Sequence, residues 1–129
     1  MHQPPLVAVV EDESSVRKAL GRLLRSDGLA AETYASGEEF LEALPAHAPD
    51  CLLLDLQLPG LNGLAVQSRL QQCGLTFPVI FITANDGSDA RHRAMQGGAA
   101  AWLRKPVEDL QLLEVIRRSL GGKTSFPQS

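Results

Sequence analysis

Five short apolar or β-branched runs, alternating with stretches of helical periodicity, constrain the fold of this chain more than any other feature. The runs are LVAVVED at 6–12, AAETYAS at 30–36, DCLLLD at 50–55, PVIFITA at 78–84 and AAAWLRK at 99–105. After the first, Val16, Leu20, Leu23 and Leu24 recur at the spacing of a helix over residues 13–26, with Ser14 or Ser15 near its start and Gly28 past its end. GEEFLEAL at 37–44 predicts a second helix, stopped near Pro45, and LAVQSRLQQ at 64–72 a third after an LPGLNG turn. SDARHRAMQ at 88–96 predicts a short, weakly amphipathic fourth helix before Gly97 and Gly98. VEDLQLLEVIRRSL at 107–120 predicts a fifth, with Val107, Leu110, Leu113 and Leu120 facing inward. Strands so continuously apolar need helices on both faces, so the pattern predicts a three-layer α/β domain around a doubly wound, five-stranded parallel sheet.

The 129 residues suit one such domain, large enough to bury a core without disulfides or a structural metal. We expect it to span residues 1–120, with GGKTSFPQS at 121–129 as a tail or the start of a linker, since that stretch has no periodicity. Twelve basic against fifteen acidic residues give a formal charge of -3, without the basic excess of a dedicated nucleic-acid binder. No direct nucleic-acid binding by this segment is expected. Cys51 and Cys73 fit neither a CxxC site nor a disulfide framework, which favours two ordinary thiols in a reducing compartment. No run approaches the roughly 18 apolar residues of a membrane span, and the first residues lack a basic-then-apolar secretion signal. The expectation is a cytoplasmic domain with no membrane partner.

In an open parallel sheet the ligand crevice lies at the carboxyl ends of the strands, so their polar endings are the residues to inspect. They are Glu11 and Asp12 after the first run, Asp55 after the third, Thr83 after the fourth and Lys105 after the fifth. Three carboxylates brought together repel one another unless a cation compensates. A hard divalent ion such as Mg²⁺ does so through oxygen ligands. Asp55 can then stay ionised and attack a phosphoryl group, with Lys105 and the ion countering the charge on its oxygens and Thr83 donating to them. Taken singly, each residue also has a structural reading. Glu11 and Asp12 suit helix caps, Asp55 a turn cap, Thr83 a strand position and Lys105 a solvated strand end. Their joint occurrence at four strand ends is what points to a site.

VVEDES, LLLDLQLPGLNG, FITA and WLRKP together resemble the phosphoryl-accepting receiver domain of two-component response regulators, over roughly residues 5–120. The LPGLNG turn is most similar to receivers of nitrogen-fixation and nitrate-type transcription regulators. The resemblance implies a flavodoxin-like strand order 2-1-3-4-5, with Asp55 as phosphoacceptor. Mg²⁺ would be held by Glu11, Asp12, Asp55 and the backbone carbonyl of Gln57. Thr83 would be the switch hydroxyl, and Lys105 would precede a cis bond to Pro106. Trp102 stands where the family usually has tyrosine, phenylalanine or histidine as its rotating switch residue, and Glu11 replaces the more frequent aspartate. Gln57 and Asn85 occupy positions that tune autodephosphorylation in the family. The implied partners are a sensor histidine kinase or phosphotransfer protein, and a second copy through the face formed by the fourth helix, fifth strand and fifth helix. Such a domain catalyses its own phosphorylation and dephosphorylation but is primarily a signalling switch.

Other readings are weaker. GGKTS resembles the close of a P-loop, but the full pattern requires glycine at Arg117 and a strand before it. A haloacid-dehalogenase-like phosphatase requires a second acid where Gln57 stands. His2, His47 and His92 show no metal-ligand spacing. A receiver-shaped module acting by protein contacts alone, without phosphorylation, is the alternative from a different functional class.

Overall fold

A computed structural model of the chain describes residues 3–44, 46, 48–84 and 87–121. Elements alternate along it as β1 (Leu6–Val10), α1 (Ser14–Ser26), β2 (Ala30–Tyr34), α2 (Gly37–Ala43), β3 (Cys51–Asp55), α3 (Gly63–Gln72), β4 (Val79–Thr83), α4 (Ser88–Gln96), β5 (Ala101–Arg104) and α5 (Asp109–Ser119). All pairings are parallel and the strand order is β2-β1-β3-β4-β5, as the resemblance implied.

Successive strand side chains point to opposite faces, and that period of two divides the apolar residues between two cores. Val7, Val9, Leu53, Ile80 and Ile82 pack with Leu24 of α1 and Leu112 and Ile116 of α5. Val10, Leu52, Leu54 and Phe81 pack with Phe40 of α2, Val66 and Leu70 of α3 and Ala94 of α4. The helices therefore cover both faces, α1 and α5 on one and α2 to α4 on the other. Central β3 and β4 are buried along their whole length, whereas every residue of edge strand β2 is only half-buried. That difference explains why the β2 run reads more weakly in sequence.

Helix ends follow local chemistry. Ser36 and Asn62 cap α2 and α3, their side chains accepting from the backbone N–H groups of Glu39 and Ala65. Neither Ser14 nor Ser15 caps α1, whose N-cap is Glu13 without a side-chain hydrogen bond. Gly28, with φ +85°, supplies the left-handed turn after α1 that residues with a Cβ avoid.

One expectation for α5 is corrected. Leu110 is 82% exposed, while Leu112 and Ile116 fill the core and Leu120 beyond them is fully buried. Residues two apart lie about 200° apart around a helix, so burying Leu112 turns Leu110 to solvent. Val107 and Leu113 pack against the core edge as expected.

Candidate functional site

Chain direction across the sheet reverses at β1, which has β2 on one side and β3 on the other. Such a switch point opens a crevice at the carboxyl ends of β1 and β3. Glu11 and Asp12 leave β1 there and Asp55 ends β3. Their carboxylates meet: one oxygen from each lies within 4.8 Å of the other two. Glu11 and Asp55 are buried, at 1% and 4% exposure, while Asp12 faces solvent.

Lys105 follows β5 and reaches across β4 into this cluster. Its Nζ lies 2.8 Å from Glu11 Oε1 and 3.0 Å from Asp55 Oδ2. The Lys105–Pro106 bond is cis. Backbone donors complete the frame: the Gln57 N–H donates to Asp55 Oδ1 at 3.1 Å and the Glu13 N–H to Glu11 Oε2 at 3.1 Å. Glu11 thus serves the start of α1 as well as the cluster. Gln57 itself is exposed at the rim of an open cleft of about 640 Å³, which Asp12, Pro59, Asn62 and Leu64 also line.

The electrostatics follow from burial. Desolvation pushes the Asp55 carboxyl above its ordinary range; the Lys105 hydrogen bond pulls it back, and the negative charge of Glu11 pushes it up again. For Lys105, burial alone would favour the neutral amine. Its hydrogen bonds to Glu11 and Asp55, with their negative charges, outweigh that and hold the ammonium more firmly than usual. Among the described residues, three carboxylates stand against the one ammonium of Lys105. An all-oxygen donor set of this charge fits a hard divalent cation such as Mg²⁺.

Thr83 is fully buried at the end of β4, and its carbonyl accepts from the Lys105 N–H at 2.9 Å. Trp102 lies outside the carboxylate cluster. It sits beside Phe81 in the β4–β5 register and stacks on that ring, centroids 5.7 Å apart and planes 17° from parallel, on the face covered by α4. Asn85 falls outside the described residues.

Two supports escaped the sequence reading. Arg17, one turn into α1, donates from Nη1 to the carbonyls of Glu11 at 2.8 Å and Asp12 at 3.3 Å, holding the backbone of the acidic pair. Glu38 of α2 accepts from the Leu61 N–H at 3.1 Å and ties down the turn after Asp55. Nothing in the linear pattern separates these two from ordinary surface charges of a helix.

A doubly wound sheet in this order, with three acids and a lysine gathered at its switch point, defines a receiver-type α/β domain. The family model described as the response regulator receiver domain matches residues 7–117, and the chain belongs to that family of two-component signalling domains. It is 40% identical over 111 residues to Nodulation protein W of Bradyrhizobium diazoefficiens, covering 86% of this chain and 49% of that protein. It is 39% identical over 118 residues to the DNA-binding transcriptional regulator NtrC of Escherichia coli, covering 92% of this chain and 25% of that protein. The chain therefore spans about a quarter to a half of these relatives' length. Among solved structures, a response regulator receiver protein from Burkholderia phymatum matches with 50% identity and a TM-score of 0.80, covering 91% of this chain and 95% of that one. FixJ-N matches with 30% identity and a TM-score of 0.86, covering 97% of this chain and all of that one. Among the described residues no helix is long and apolar enough to cross a membrane.

Proposed function

We propose that this receiver domain takes a phosphoryl group onto Asp55 from a phosphohistidine of a sensor kinase or phosphotransfer protein, in a Mg²⁺-dependent reaction. The observation that carries the reading is the Lys105 ammonium held between Glu11 and Asp55 beside an acid-rich opening. Glu11, Asp12 and Asp55, with the Gln57 carbonyl, would hold the ion. When bound, it would neutralise the carboxylates and the phosphoryl oxygens.

An Asp55 carboxylate oxygen attacks phosphorus as the bond from phosphorus to the donor's imidazole nitrogen breaks, leaving an acyl phosphate and a free imidazole. Asp55 Oδ1 is already engaged by the Gln57 N–H, which orients the carboxylate. Lys105 then transfers part of its interaction from Asp55 to the new phosphoryl oxygens. Thr83 supplies a switch hydroxyl to the same oxygens, and its inward movement frees Trp102 to change its packing on Phe81. Gln57 and Asn85 orient the water that later removes the mark.

The signal leaves through α4, β5 and α5, and a second copy or an output partner docks there. Residues 1–120 form the receiver unit; the expected tail or linker at 121–129 lies, after Gly121, outside the described residues. The two free thiols suit a reducing compartment such as the cytoplasm.

The test is intact mass after incubation with Mg²⁺ and acetyl phosphate, comparing wild type with Asp55→Asn. An adduct of about 80 Da, the mass added by one phosphorylation, is expected on the wild type alone. No adduct on folded wild type, from acetyl phosphate or from candidate kinases, would leave a module that signals by contact without phosphorylation.

A further inference from the structure

α4 is held very differently at its two ends. Along Ser88–Gln96 the single fully covered residue is Ala94, in the last turn, and the N-cap, Gly87, has no side chain to cap the first turn. The other end is tied to α3. Gln67, only 6% exposed, donates from Nε2 to the Ala94 carbonyl at 2.9 Å, and that carbonyl also accepts the Ala99 N–H at 3.1 Å. One turn along α3, the Gln71 side-chain amide donates to the Gly97 carbonyl. The approach is close enough that a Cβ on Gly97 would fall 2.8 Å from Gln67 Cδ and Oε1. Gly98, at φ +95°, then turns the chain toward β5. Carbonyls at a helix C-terminus lack intrahelical donors, and here another helix supplies two of them.

A glutamine buried to this extent is uncommon. Leucine would fill a similar volume without a polar group to satisfy, so the amide marks a position where α4 must be fixed rather than merely covered. We infer that Gln67 is a positioning residue for α4: with Gln71 and Gly97 it pins the C-terminal end of the helix, so that α4 moves as a lever whose far end follows Ala84 and Gly87. Nine residues at 1.5 Å per residue make the arm about 13 Å long, so a rotation of about 10° carries the first turn about 2 Å. Large displacement thus falls next to Thr83 and little falls at residues 94–98. The coupling of that motion to a phosphoryl mark rests on the function proposed above; the pin itself does not.

Residue-resolved amide exchange in the unphosphorylated protein tests the pin. In the wild type, amides of the first turns of α4 should exchange faster than those of Gly97, Gly98 and Ala99. Gln67→Leu should speed the latter three about tenfold, the effect of losing one buried hydrogen bond, while slow sheet amides at Val9, Leu53 and Ile80 stay within about twofold. If Gln67→Leu does not fold, the exposed Gln71→Leu should give a smaller acceleration at the same three sites. Unchanged exchange at 97–99, or a uniform acceleration that includes the sheet, would overturn the pin. With Mg²⁺ and acetyl phosphate, and the adduct verified by mass, change in the wild type should be confined to residues 88–91 and spread to 97–99 in Gln67→Leu. A uniform wild-type response along α4 would overturn the lever. Absence of an adduct would overturn the phosphoacceptor reading alone, since the unphosphorylated comparison still decides the pin.

Discussion

Replacing Asp55 by asparagine should make the metal-free protein more stable, although it removes one arm of an ion pair. Asp55 is 4% exposed, with Lys105 at 3.0 Å and Glu11 and Asp12 each presenting an oxygen within 4.8 Å. At an effective dielectric of about 20, the lysine contributes about 5.5 kcal/mol, and Glu11 at that limiting separation costs about 3.5 kcal/mol. Solvent-facing Asp12 adds a weaker, screened repulsion. Desolvating the carboxylate costs several kcal/mol more, and the raised Asp55 pKa says that the costs win. Asparagine keeps the shape and sheds the charge, while Lys105 retains Glu11. The expected gain is about 1–2 kcal/mol, or about 4–8 °C in Tm for a domain of this size.

The sign can be checked with pH and with metal. Because the folded-state pKa of Asp55 is raised, its charge destabilises the fold fully above that pKa, and the penalty fades as pH falls through it. The advantage of the Asp55→Asn variant should therefore shrink toward acid. Mg²⁺ should shrink it too, since an ion at ten times its Kd adds about 1.4 kcal/mol to the protein that binds it. Thermal melts in EDTA, in Mg²⁺ and across pH would measure all three. A loss of more than about 1 kcal/mol for Asp55→Asn in EDTA at neutral pH would refute the balance of burial against pairing drawn here.

Three further outcomes are expected. Gly63→Ala should cost about 1–3 kcal/mol by denaturant melt, because a Cβ there meets the Asp55 carbonyl oxygen at 2.7 Å and Leu56 Cα at 2.9 Å, both backbone atoms with little room to yield. A neutral result would mean that the start of α3 is less closely packed on the end of β3. Leu110→Ser should change stability by no more than about 0.5 kcal/mol, whereas Leu112→Ala should cost about 2–5 kcal/mol, given 82% and 2% exposure; equal losses would return Leu110 to the core. In the native protein a thiol reagent should modify Cys73 within minutes and leave Cys51 untouched until unfolding, because burial pushes the Cys51 thiol up to about 12. Rapid modification of both would show that β3 is accessible.

Much of the architecture was legible because two periods in the chain are strong. DCLLLD and PVIFITA have apolar side chains for both faces of a sheet, and the leucines after Val16 recur every three or four residues. Leu110 was misplaced because VEDLQLLEVIRRSL contains apolar residues at more than one helical phase. Only packing against the apolar face of the sheet, with Val7, Val9, Leu53, Ile80, Ile82 and Leu103, selects the phase of Leu112 and Ile116. Gln67 and Arg17 were invisible for a related reason. Each is a polar residue at an ordinary helical position, and what distinguishes it is a carbonyl on another segment, 27 residues away for Gln67 and six for Arg17.

The alternation of strands and helices, the two apolar faces, and the acids and lysine at strand ends are legible in the linear chain, because they depend on local period and on residue type. Parallel pairing followed from the same alternation, the order 2-1-3-4-5 was implied by resemblance, and the pairings themselves realise both. Folding in three dimensions adds what no local pattern holds: Lys105 bridges Glu11 and Asp55 from 94 and 50 residues away, Trp102 stacks on Phe81, and α4 is tied at one end. Those contacts join segments with no shared local signal. They form because closing the sheet brings the strand ends within a few ångströms, where burial makes each unpaired charge or amide costly and each paired one specific.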